Sequence, residues 1–448
     1  MFLGFDANRE IAGLTVDGVI AAARPEDPVL CLRPSLMEAT ARTFVSLFPG
    51  RVFYAVKCNP DVEVLRALSA GGVSNFDVAS LTEIETVRRL LPDARLAYMH
   101  PVKPRASIRA AYMLHGVRDF SLDSMEELAK IVTETGHADD LGLFVRLKLP
   151  KGGAVYDLSG KFGAPVEQAV TLLRAARDAG RRVGLCFHVG SQCLDPSAYE
   201  RAMEIAGEVI RLSGVTPDVL DVGGGFPVAY PDVNPPALWL YMAAINRAFR
   251  RLELANCELW CEPGRALVAA GTSLVVQVNH RRGQELFIND GVYGTLSDAG
   301  VPAFRFPVRV IRPEGEAASS EMLPYIFFGP TCDSADRMEG PFWLPADLRE
   351  GDWIEIGQLG AYGACLRTQF NGFDRIGKVA VSDGPLLATA GHPGSGQAGA
   401  SQEAPVQVSH PARVARRRAK LCAVACVENK SQRLCAAGPG TGAGPHRN

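Results

Sequence analysis

The stretch Arg51-Val-Phe-Tyr-Ala-Val-Lys57-Cys-Asn-Pro60 runs a β-branched and aromatic segment into a single lysine and then stops at a proline. This composition favours a β-strand, and proline is disfavoured inside one, so the lysine comes at the carboxyl end of the strand. In a barrel of parallel strands, active sites lie at that end. A partly desolvated lysine there can form a Schiff base with a carbonyl compound, although a strand-end lysine is more often a simple surface residue.

An alternation of strands and helices surrounds this stretch and continues for about 210 residues, which is the size of a (β/α)8 barrel. Predicted strands cover residues 51–57, 73–77, 95–99, 117–121, 142–148, 183–188, 218–222 and 258–262. Amphipathic helices are predicted at residues 35–48, 61–68, 80–90, 124–132, 166–179 and 237–252. A doubly wound sheet is the alternative, but it usually has fewer strands per domain. We therefore predict an α/β fold with a TIM-type barrel over residues 34–266.

A second, all-β domain is predicted over residues 267–384, because short strands there are separated by Gly, Pro and Asp turns. These strands cover residues 273–279, 285–289, 306–311, 325–328 and 353–356. Residues 1–33 contain polar turns and short strands at 14–16 and 29–32 without a helical period, so we expect them to complete this β domain. Residues 385–448 are rich in small and polar residues, and we predict a disordered basic tail.

Composition and charge fit a cytoplasmic enzyme. Hydrophobic residues make up 47% of the 448 residues, yet no run of 18 apolar residues suggests a membrane span, and the charged N-terminus is unlike a signal peptide. The eleven cysteines are irregularly spaced, which argues against a disulfide framework, and no His/Cys cluster indicates a metal site. Residues 385–448 contain eight Lys/Arg and two Asp/Glu, so the rest of the chain carries −8 and is not expected to bind nucleic acid.

Polar or glycine residues follow nearly every predicted barrel strand, so they should face one cavity. In chain order they are Lys57, Asp77, Tyr98, His100, Asp123, Arg146, His188, Gly223-Gly-Gly225 and Glu262. The glycines after the seventh strand, with Gly264 and Arg265 after the eighth, indicate a phosphate site, because glycine lets backbone N–H groups approach an anion. Glu262 could hold the proton of a pyridinium ring or simply pair with Arg265, and His188 could stack on a flat ring or be structural.

Eight motifs occur in order along residues 30–375. They are Phe53-Tyr-Ala-Val-Lys57-Cys-Asn59, Phe76-Asp-Val-Ala-Ser80, Phe187-His-Val-Gly-Ser191, Asp221-Val-Gly-Gly-Gly-Phe-Pro227, Cys261-Glu-Pro-Gly-Arg265, Asn289-Asp-Gly-Val-Tyr-Gly294, Gly329-Pro-Thr-Cys-Asp-Ser-Ala-Asp336 and Gly360-Ala-Tyr362. Together they resemble the ornithine decarboxylase branch of the alanine-racemase-fold pyridoxal phosphate enzymes. The resemblance implies that Lys57 binds pyridoxal 5'-phosphate as a Schiff base, that Glu262 binds its ring nitrogen and that His188 stacks on its ring. It implies phosphate contacts from Ser191, Gly223, Gly224, Gly225, Gly264, Arg265 and Tyr362, with Asp77 and Arg146 near the ring and the Schiff base.

The resemblance also implies a homodimer in which each active site takes residues from two chains. The partner would supply Cys332, which returns a proton to the carbon that loses carbon dioxide, and Asp333, which pairs with the distal ammonium of the substrate. The family places an ion pair between Lys161 and Asp336 across that interface, and it places Tyr293 and Phe370 beside the substrate. The segment after Gly294 is shorter than in eukaryotic members, so Asp298 is the stand-in for an acidic residue that selects the diamine end.

The activity implied by the resemblance is decarboxylation of L-ornithine to putrescine and carbon dioxide. A preference for lysine, or acceptance of both amino acids, stays open because the position of Asp298 is offset from the family pattern. Diaminopimelate is disfavoured because its decarboxylases usually have glutamate after the proton-donating cysteine, where this chain has Asp333. From another class, a catalytically inactive homologue that binds a regulatory partner is the alternative, although Lys57, Glu262 and Cys332 are all retained.

Overall fold

A computed structural model describes residues 13–150, 154–156, 160–301, 303–313 and 315–390 of the chain. Eight parallel strands in it close into a barrel. In chain order they are Arg51–Ala55, Asn75–Val78, Arg95–Tyr98, Asp119–Leu122, Gly142–Arg146, Arg182–Cys186, Val219–Asp221 and Glu258–Cys261. All eight had been predicted from the sequence, so the barrel prediction is confirmed. The first strand pairs with both the second and the eighth, which closes the ring.

Helices surround the barrel. They are Pro34–Leu47, Val62–Ala70, Leu81–Leu90, Arg105–Met113, Met125–Glu134, Val166–Ala179, Ser197–Ser213 and Leu238–Arg251. Several begin at a residue whose side chain caps the helix, as when the Ser80 hydroxyl accepts a hydrogen bond from the Glu83 N–H. Trp260 lies inside the barrel, fully buried and stacked between Phe53 and Phe144 at ring distances of 4.2 and 5.0 Å. Aromatic rings thus fill the barrel interior and leave its carboxyl end for the polar residues.

A second, eight-stranded sheet follows the barrel in the chain, as predicted. Its strands are Val29–Leu32, Thr272–Arg282, Glu285–Ile288, Val308–Ile311, Met322–Phe328, Arg337–Pro345, Trp353–Ile356 and Gly377–Ala380. Val29–Leu32 lies between Thr272–Arg282 and Gly377–Ala380, so the chain contributes to this sheet before it builds the barrel. The domain boundaries at residues 33, 266 and 384 stay our proposal.

The structure corrects three details of the sequence predictions. The predicted strand at residues 14–16 is wrong: Thr15 caps a two-turn helix, Val16–Ala23, which has only Val16 and Ile20 buried. Two buried residues are too few to give a helical period in the sequence. Arg337–Pro345 and Gly377–Ala380 were not predicted as strands. Lys57 lies in a single 3₁₀ turn, Val56–Cys58, beyond the end of the strand.

Two further observations concern the ends of the chain and the search for a membrane-spanning helix. Most of the predicted disordered tail, from residue 391 onward, lies outside the described residues, as do residues 1–12. Among the helices that are described, none has the length and apolar character needed to cross a membrane.

Candidate active site

Lys57 is turned into a pocket by the 3₁₀ turn that ends the first barrel strand. Its neighbours Val56 and Cys58 are fully buried, whereas 44% of the Lys57 side chain is exposed. The amine donates a 2.8 Å hydrogen bond to Asp77 Oδ2 at the end of the second strand. Burial opposes the positive charge, but the carboxylates of Asp77 and Glu262 outweigh it and hold the pKa of Lys57 above its ordinary value. Lys57 is therefore an ammonium group, fixed in position by Asp77.

The pocket around Lys57 has a volume of about 480 Å³ and lies at the carboxyl end of the barrel strands. Its walls are formed by Lys57, Asp77, Ala79, Met99, His100, Pro101, Arg146, Gly160, Lys161, Phe162, His188, Ser191, Glu262 and Tyr362. Seven of the predicted cofactor residues are among them: Lys57, Asp77, Arg146, His188, Ser191, Glu262 and Tyr362. Residues up to 305 positions apart in the sequence thus meet in one cavity.

The three glycines after the seventh strand form a close-packed loop against this pocket. A Cβ atom at Gly223 would lie 2.1 Å from the Phe187 carbonyl oxygen, and one at Gly224 would lie 2.6 Å from the Glu262 carbonyl oxygen. Gly223 and Gly225 have positive φ angles of 66° and 103°, which larger residues rarely adopt. The three carbonyls accept hydrogen bonds from Glu262 N, Tyr199 OH and Cys193 N, so the loop is held rigidly with backbone available to an anion.

Arg265 stands beside this loop and is 7% exposed. Its guanidinium lies 5.0 Å from the centre of the Tyr362 ring, donates to the Tyr230 hydroxyl at 2.9 Å and pairs with Asp298 at 2.8 Å. The Arg265 Nε atom is buried and has no hydrogen-bond partner among the described residues. Asp298, which the sequence suggested for the substrate, is therefore occupied by Arg265 and does not line the pocket.

Glu262 and His188 have the protonation states that suit an aromatic cofactor ring. Burial, with the carboxyl groups of Asp221 and Asp77 nearby, raises the pKa of Glu262 well above its ordinary value, and Glu262 Oε1 is buried without a hydrogen-bond partner among the described residues. Burial and the positive charge of Arg146 lower the pKa of His188 well below its ordinary value. Since the Gly190 N–H donates to His188 Nδ1 at 3.0 Å, the neutral ring carries its proton on Nε2.

The remaining predicted residues form a second cluster, which does not line the pocket of the same chain. The Tyr293 hydroxyl donates to Asp333 Oδ2, and the Tyr293 and Phe370 rings lie 4.9 Å apart. Cys332, next to Asp333, is exposed. The Ala335 N–H and the Tyr293 hydroxyl lower the pKa of Asp333, so its carboxylate is ionised.

The predicted partners Lys161 and Asp336 are also apart within one chain. Lys161 lines the pocket, with its amine 4.9 Å from the centre of the Phe162 ring. Asp336 is 2% exposed and accepts hydrogen bonds from Val292 N, Thr331 N and the Thr331 hydroxyl. The ion pair across an interface stays a prediction, and the visible role of Asp336 is to fix the turn that carries Cys332.

Sequence reasoning missed two pocket residues that form one wall. His100 was recognised at a strand end but given no role, and Phe162 was not singled out at all. Their rings contact each other edge to face at 5.1 Å between centroids. His100 follows the third barrel strand, which was a usable signal, whereas Phe162 comes from an irregular segment whose position no periodicity reveals.

Comparison with known proteins gives a consistent result. A family model described as pyridoxal-dependent decarboxylase, pyridoxal binding domain, matches residues 35–269. A lysine/ornithine decarboxylase of Selenomonas ruminantium is 36% identical over 346 residues, which cover 75% of this chain and 85% of that protein. An ornithine decarboxylase of Panagrellus redivivus is 35% identical over 395 residues, covering 81% of this chain and 88% of that protein. The crystal structure of a Paramecium bursaria Chlorella virus arginine decarboxylase bound to agmatine superposes with a TM-score of 0.72 at 30% identity, covering 82% and 99% of the two chains.

The residues of the pocket fit pyridoxal phosphate, the cofactor of these enzymes. The unpartnered Glu262 Oε1 can accept from a protonated ring nitrogen, and the unpartnered Arg265 Nε can donate to a phosphate beside the glycine loop. The Lys57 amine lines the same pocket as Glu262 and is held by Asp77. The matched family model, the relatives and the residues of this pocket agree: the chain is a pyridoxal phosphate-dependent amino-acid decarboxylase and belongs to the pyridoxal-dependent decarboxylase family.

Proposed function

We propose that this protein decarboxylates L-ornithine to putrescine and carbon dioxide. The observation that carries the choice of substrate class is Asp333, an ionised carboxylate on an exposed turn next to Cys332 and the Tyr293 hydroxyl. A carboxylate held in this way forms an ion pair with the distal ammonium of a diamino acid. It forms no ion pair with a neutral side chain and repels an acidic one. Two relatives named above are ornithine or lysine/ornithine decarboxylases, which supports the same class.

Within the pocket, each residue has a distinct task. Lys57 would hold the cofactor, and Asp77 accepts the hydrogen bond that orients the Lys57 amine. The neutral His188 ring offers a flat face without adding charge. Glu262 would hold a proton at the ring nitrogen of the bound cofactor. When bound, pyridoxal phosphate supplies an electron sink for the bond that loses carbon dioxide.

A separate group of residues would hold the phosphate. The rigid loop Gly223, Gly224 and Gly225 presents backbone, and Gly264 packs too closely on Cys58 for a side chain, since a Cβ there would lie 2.9 Å from Cys58 Cβ. Arg265 adds positive charge, with Ser191 and Tyr362 on the pocket wall. We propose these residues as the phosphate site.

The proton donor and the carboxylate that would bind the distal ammonium of the substrate are assigned to a second chain. Cys332 and Asp333 lie outside the pocket of their own chain, and the described residues that line that pocket include no cysteine. We therefore infer a homodimer in which Cys332, Asp333, Tyr293 and Phe370 of one protomer complete the pocket of its partner. Cys332 then returns a proton to the carbon that has lost carbon dioxide.

Lysine is the second candidate substrate, alone or together with ornithine. The Selenomonas ruminantium relative is named for both amino acids. Since Asp298 forms an ion pair with Arg265, Asp333 is the carboxylate assigned to the distal ammonium. Lysine is longer than ornithine by one methylene, which changes the position of that ammonium without changing its charge. Discrimination by one methylene is worth about 10- to 200-fold.

Product analysis tests the proposal directly. Purified enzyme with pyridoxal phosphate is supplied separately with ornithine, lysine, arginine and diaminopimelate, and carbon dioxide release and amine products are measured. We expect putrescine, with kcat/KM for ornithine at least about tenfold above that for lysine. Equal values would assign a dual enzyme, and a preference for arginine would overturn the proposal. Cofactor binding without release of carbon dioxide from any of the four would identify an inactive homologue.

A further inference from the structure

The side-chain oxygen of Asn371 accepts two hydrogen bonds from Cys332, the proposed proton donor. Asn371 Oδ1 lies 3.1 Å from the Cys332 backbone nitrogen and 3.2 Å from Cys332 Sγ. Because a backbone N–H can only donate, the side-chain atom that faces it must be the amide oxygen and not the amide nitrogen. The same oxygen is therefore the acceptor for the Cys332 S–H group.

The backbone at Asn371 is built to present this side chain. Asn371 has φ 55° and ψ 10°, the left-handed conformation that asparagine and glycine tolerate better than other residues. The segment that carries it is fixed at both ends, since the Thr368 hydroxyl donates to the Tyr293 carbonyl and the Gly372 N–H donates to the Gln369 carbonyl. The Asn371 amide is thus held against Cys332 by its own turn.

The turn that carries Cys332 is also held in place by hydrogen bonds. The Thr331 hydroxyl donates to the buried Asp336 carboxylate at 2.7 Å, and the Ala335 N–H donates to Asp333. Of the eight cysteines in the described part of the chain, Cys332 is the exposed one. A thiol at the end of a short side chain in an exposed turn needs an added constraint to point in one direction, and Asn371 supplies it.

The chemistry of an amide oxygen suits a thiol that must arrive protonated. The oxygen accepts from S–H and thereby fixes the direction in which the thiol proton points. In the proposed reaction the S–H bond breaks, a C–H bond forms at the carbon that lost carbon dioxide, and the resulting thiolate regains a proton from water before the next turnover. Asn371 is unchanged throughout.

We propose that Asn371 is a positioning residue that orients the Cys332 thiol for proton transfer to the substrate carbon. The inference rests on the proposed function in one respect, the role of Cys332 as proton donor. The hydrogen bond itself is testable without catalysis.

The test compares two substitutions that preserve the backbone. Asn371→Gly keeps the left-handed conformation and removes the acceptor, whereas Asn371→Asp keeps an acceptor and adds a negative charge. In the holoenzyme at fixed pH, alkylation of Cys332 by iodoacetamide is followed by mass spectrometry of its peptide. We expect N371G to react about threefold faster than the wild type, because its thiol is no longer held by an acceptor. We expect N371D to react more slowly, because a negative charge beside the sulfur disfavours the reactive thiolate.

Activity gives the second readout. N371G should lower kcat about fivefold with KM nearly unchanged, since the substrate still binds but the proton is poorly delivered. The matched control is Asn256→Gly, which changes another exposed left-handed asparagine, φ 61°, in a loop before the eighth barrel strand. N256G should leave both readouts at wild-type values.

The outcomes separate this inference from the proposed function. If N371G alkylates at the wild-type rate, Asn371 does not hold the thiol and the inference is wrong. If Cys332→Ala retains full activity, the proposed proton donor is wrong, whatever Asn371 does to the thiol. Loss of activity in C332A together with opposite alkylation changes in N371G and N371D supports both.

Discussion

Glu262 is the residue whose burial has the clearest functional consequence. Glu262 is 4% exposed, its Oε1 has no hydrogen-bond partner among the described residues, and its pKa is raised, which is costly unless a cationic group binds there. A protonated ring nitrogen would relieve this cost and would itself be held protonated. The same carboxyl would then both bind the ring and set its charge.

Replacing Glu262 by glutamine should therefore separate cofactor binding from catalysis. We expect E262Q to retain pyridoxal phosphate but to lose about a hundredfold in kcat, because a neutral amide cannot stabilise the charge on the ring nitrogen. Stopped-flow assays and cofactor absorbance measure the two effects. The control is Glu258→Gln on the same strand, where the carboxylate binds Arg51 and Trp260 at the other end of the barrel. Equal losses in both variants would contradict the assignment.

Asp221, beside Glu262, should make stability depend on pH in cofactor-free protein. Burial raises the pKa of Asp221 to about 6, above its ordinary value of 3.8. The folded state then binds more protons than the unfolded state between these values, so the contribution of Asp221 to stability is present below about pH 4 and lost as pH rises through about 6.

The isosteric variant Asp221→Asn should reveal this contribution as a difference. Relative to the wild type, D221N should gain up to about 3 kcal/mol in unfolding free energy between pH 4 and pH 7, because it has no charge to bury. Urea unfolding at several pH values measures both proteins. Two curves that stay parallel across this range would show that Asp221 does not titrate as expected.

Among the elements, the loop after the third barrel strand depends on a buried lysine. Lys103 Nζ donates to the carbonyls of His100 and Ser121 and pairs with Glu127 Oε1 at 2.9 Å, with the Lys103 and Glu127 side chains 0% and 3% exposed. Burial lowers the pKa of Lys103 to about 8. This network joins the loop that carries His100, a pocket residue, to the helix Met125–Glu134.

Lys103→Met should destabilise the fold, because it leaves the Glu127 carboxylate buried with fewer partners. We expect a loss of about 3 kcal/mol in unfolding free energy, and a rise in KM as the His100 loop loosens. Lys130→Met is the matched control: Lys130 also pairs with Glu127 but is 19% exposed, so its loss should cost below about 1 kcal/mol. Similar losses in the two variants would mean that burial of Lys103 is not what matters.

The elements also show what a sequence can and cannot reveal. Parallel barrel strands such as Gly142–Arg146 are buried on both faces, so they appear as short apolar runs between helices and were all predicted. Several polar residues at their ends, among them Lys57, Asp77 and Glu262, line the pocket as expected, because strand ends are a fixed position in a barrel, whereas Tyr98 and Asp123 do not line it. Val16–Ala23 was missed because two buried residues do not make a period.

Contacts that depend on irregular segments could not be predicted from the sequence. Asp298, in the short helix Ser297–Gly300, pairs with Arg265, which lies 33 positions earlier in the chain. Motif order, which suggested a substrate role for Asp298, does not reveal this contact. Phe162 reaches the pocket from a segment without periodicity. Such positions follow from tertiary packing and not from local pattern.

At the scale of the whole molecule, the predicted site residues fall into two clusters on one chain. The barrel cluster around Lys57 would bind the cofactor, and the cluster around Cys332 on the second sheet carries a thiol and an ionised carboxylate. Each cluster lacks what the other provides. The proposed two-fold dimer would join them twice, because a two-fold axis generates each contact between two surfaces a second time.

Mixing two inactive variants should therefore restore activity. A Lys57→Ala chain keeps its Cys332 cluster, and a Cys332→Ala chain keeps its Lys57 pocket, so their hybrid dimer has one site that is intact and one that lacks both groups. After equal amounts are mixed and allowed to exchange, half the dimers are hybrids, and the mixture should reach about one quarter of wild-type activity. Differently tagged chains report the fraction of hybrids by native mass spectrometry. The control mixes K57A with the double variant K57A/C332A, which has no intact pair and should stay inactive. Hybrids that form without regaining activity would show that the two clusters do not complete each other across chains.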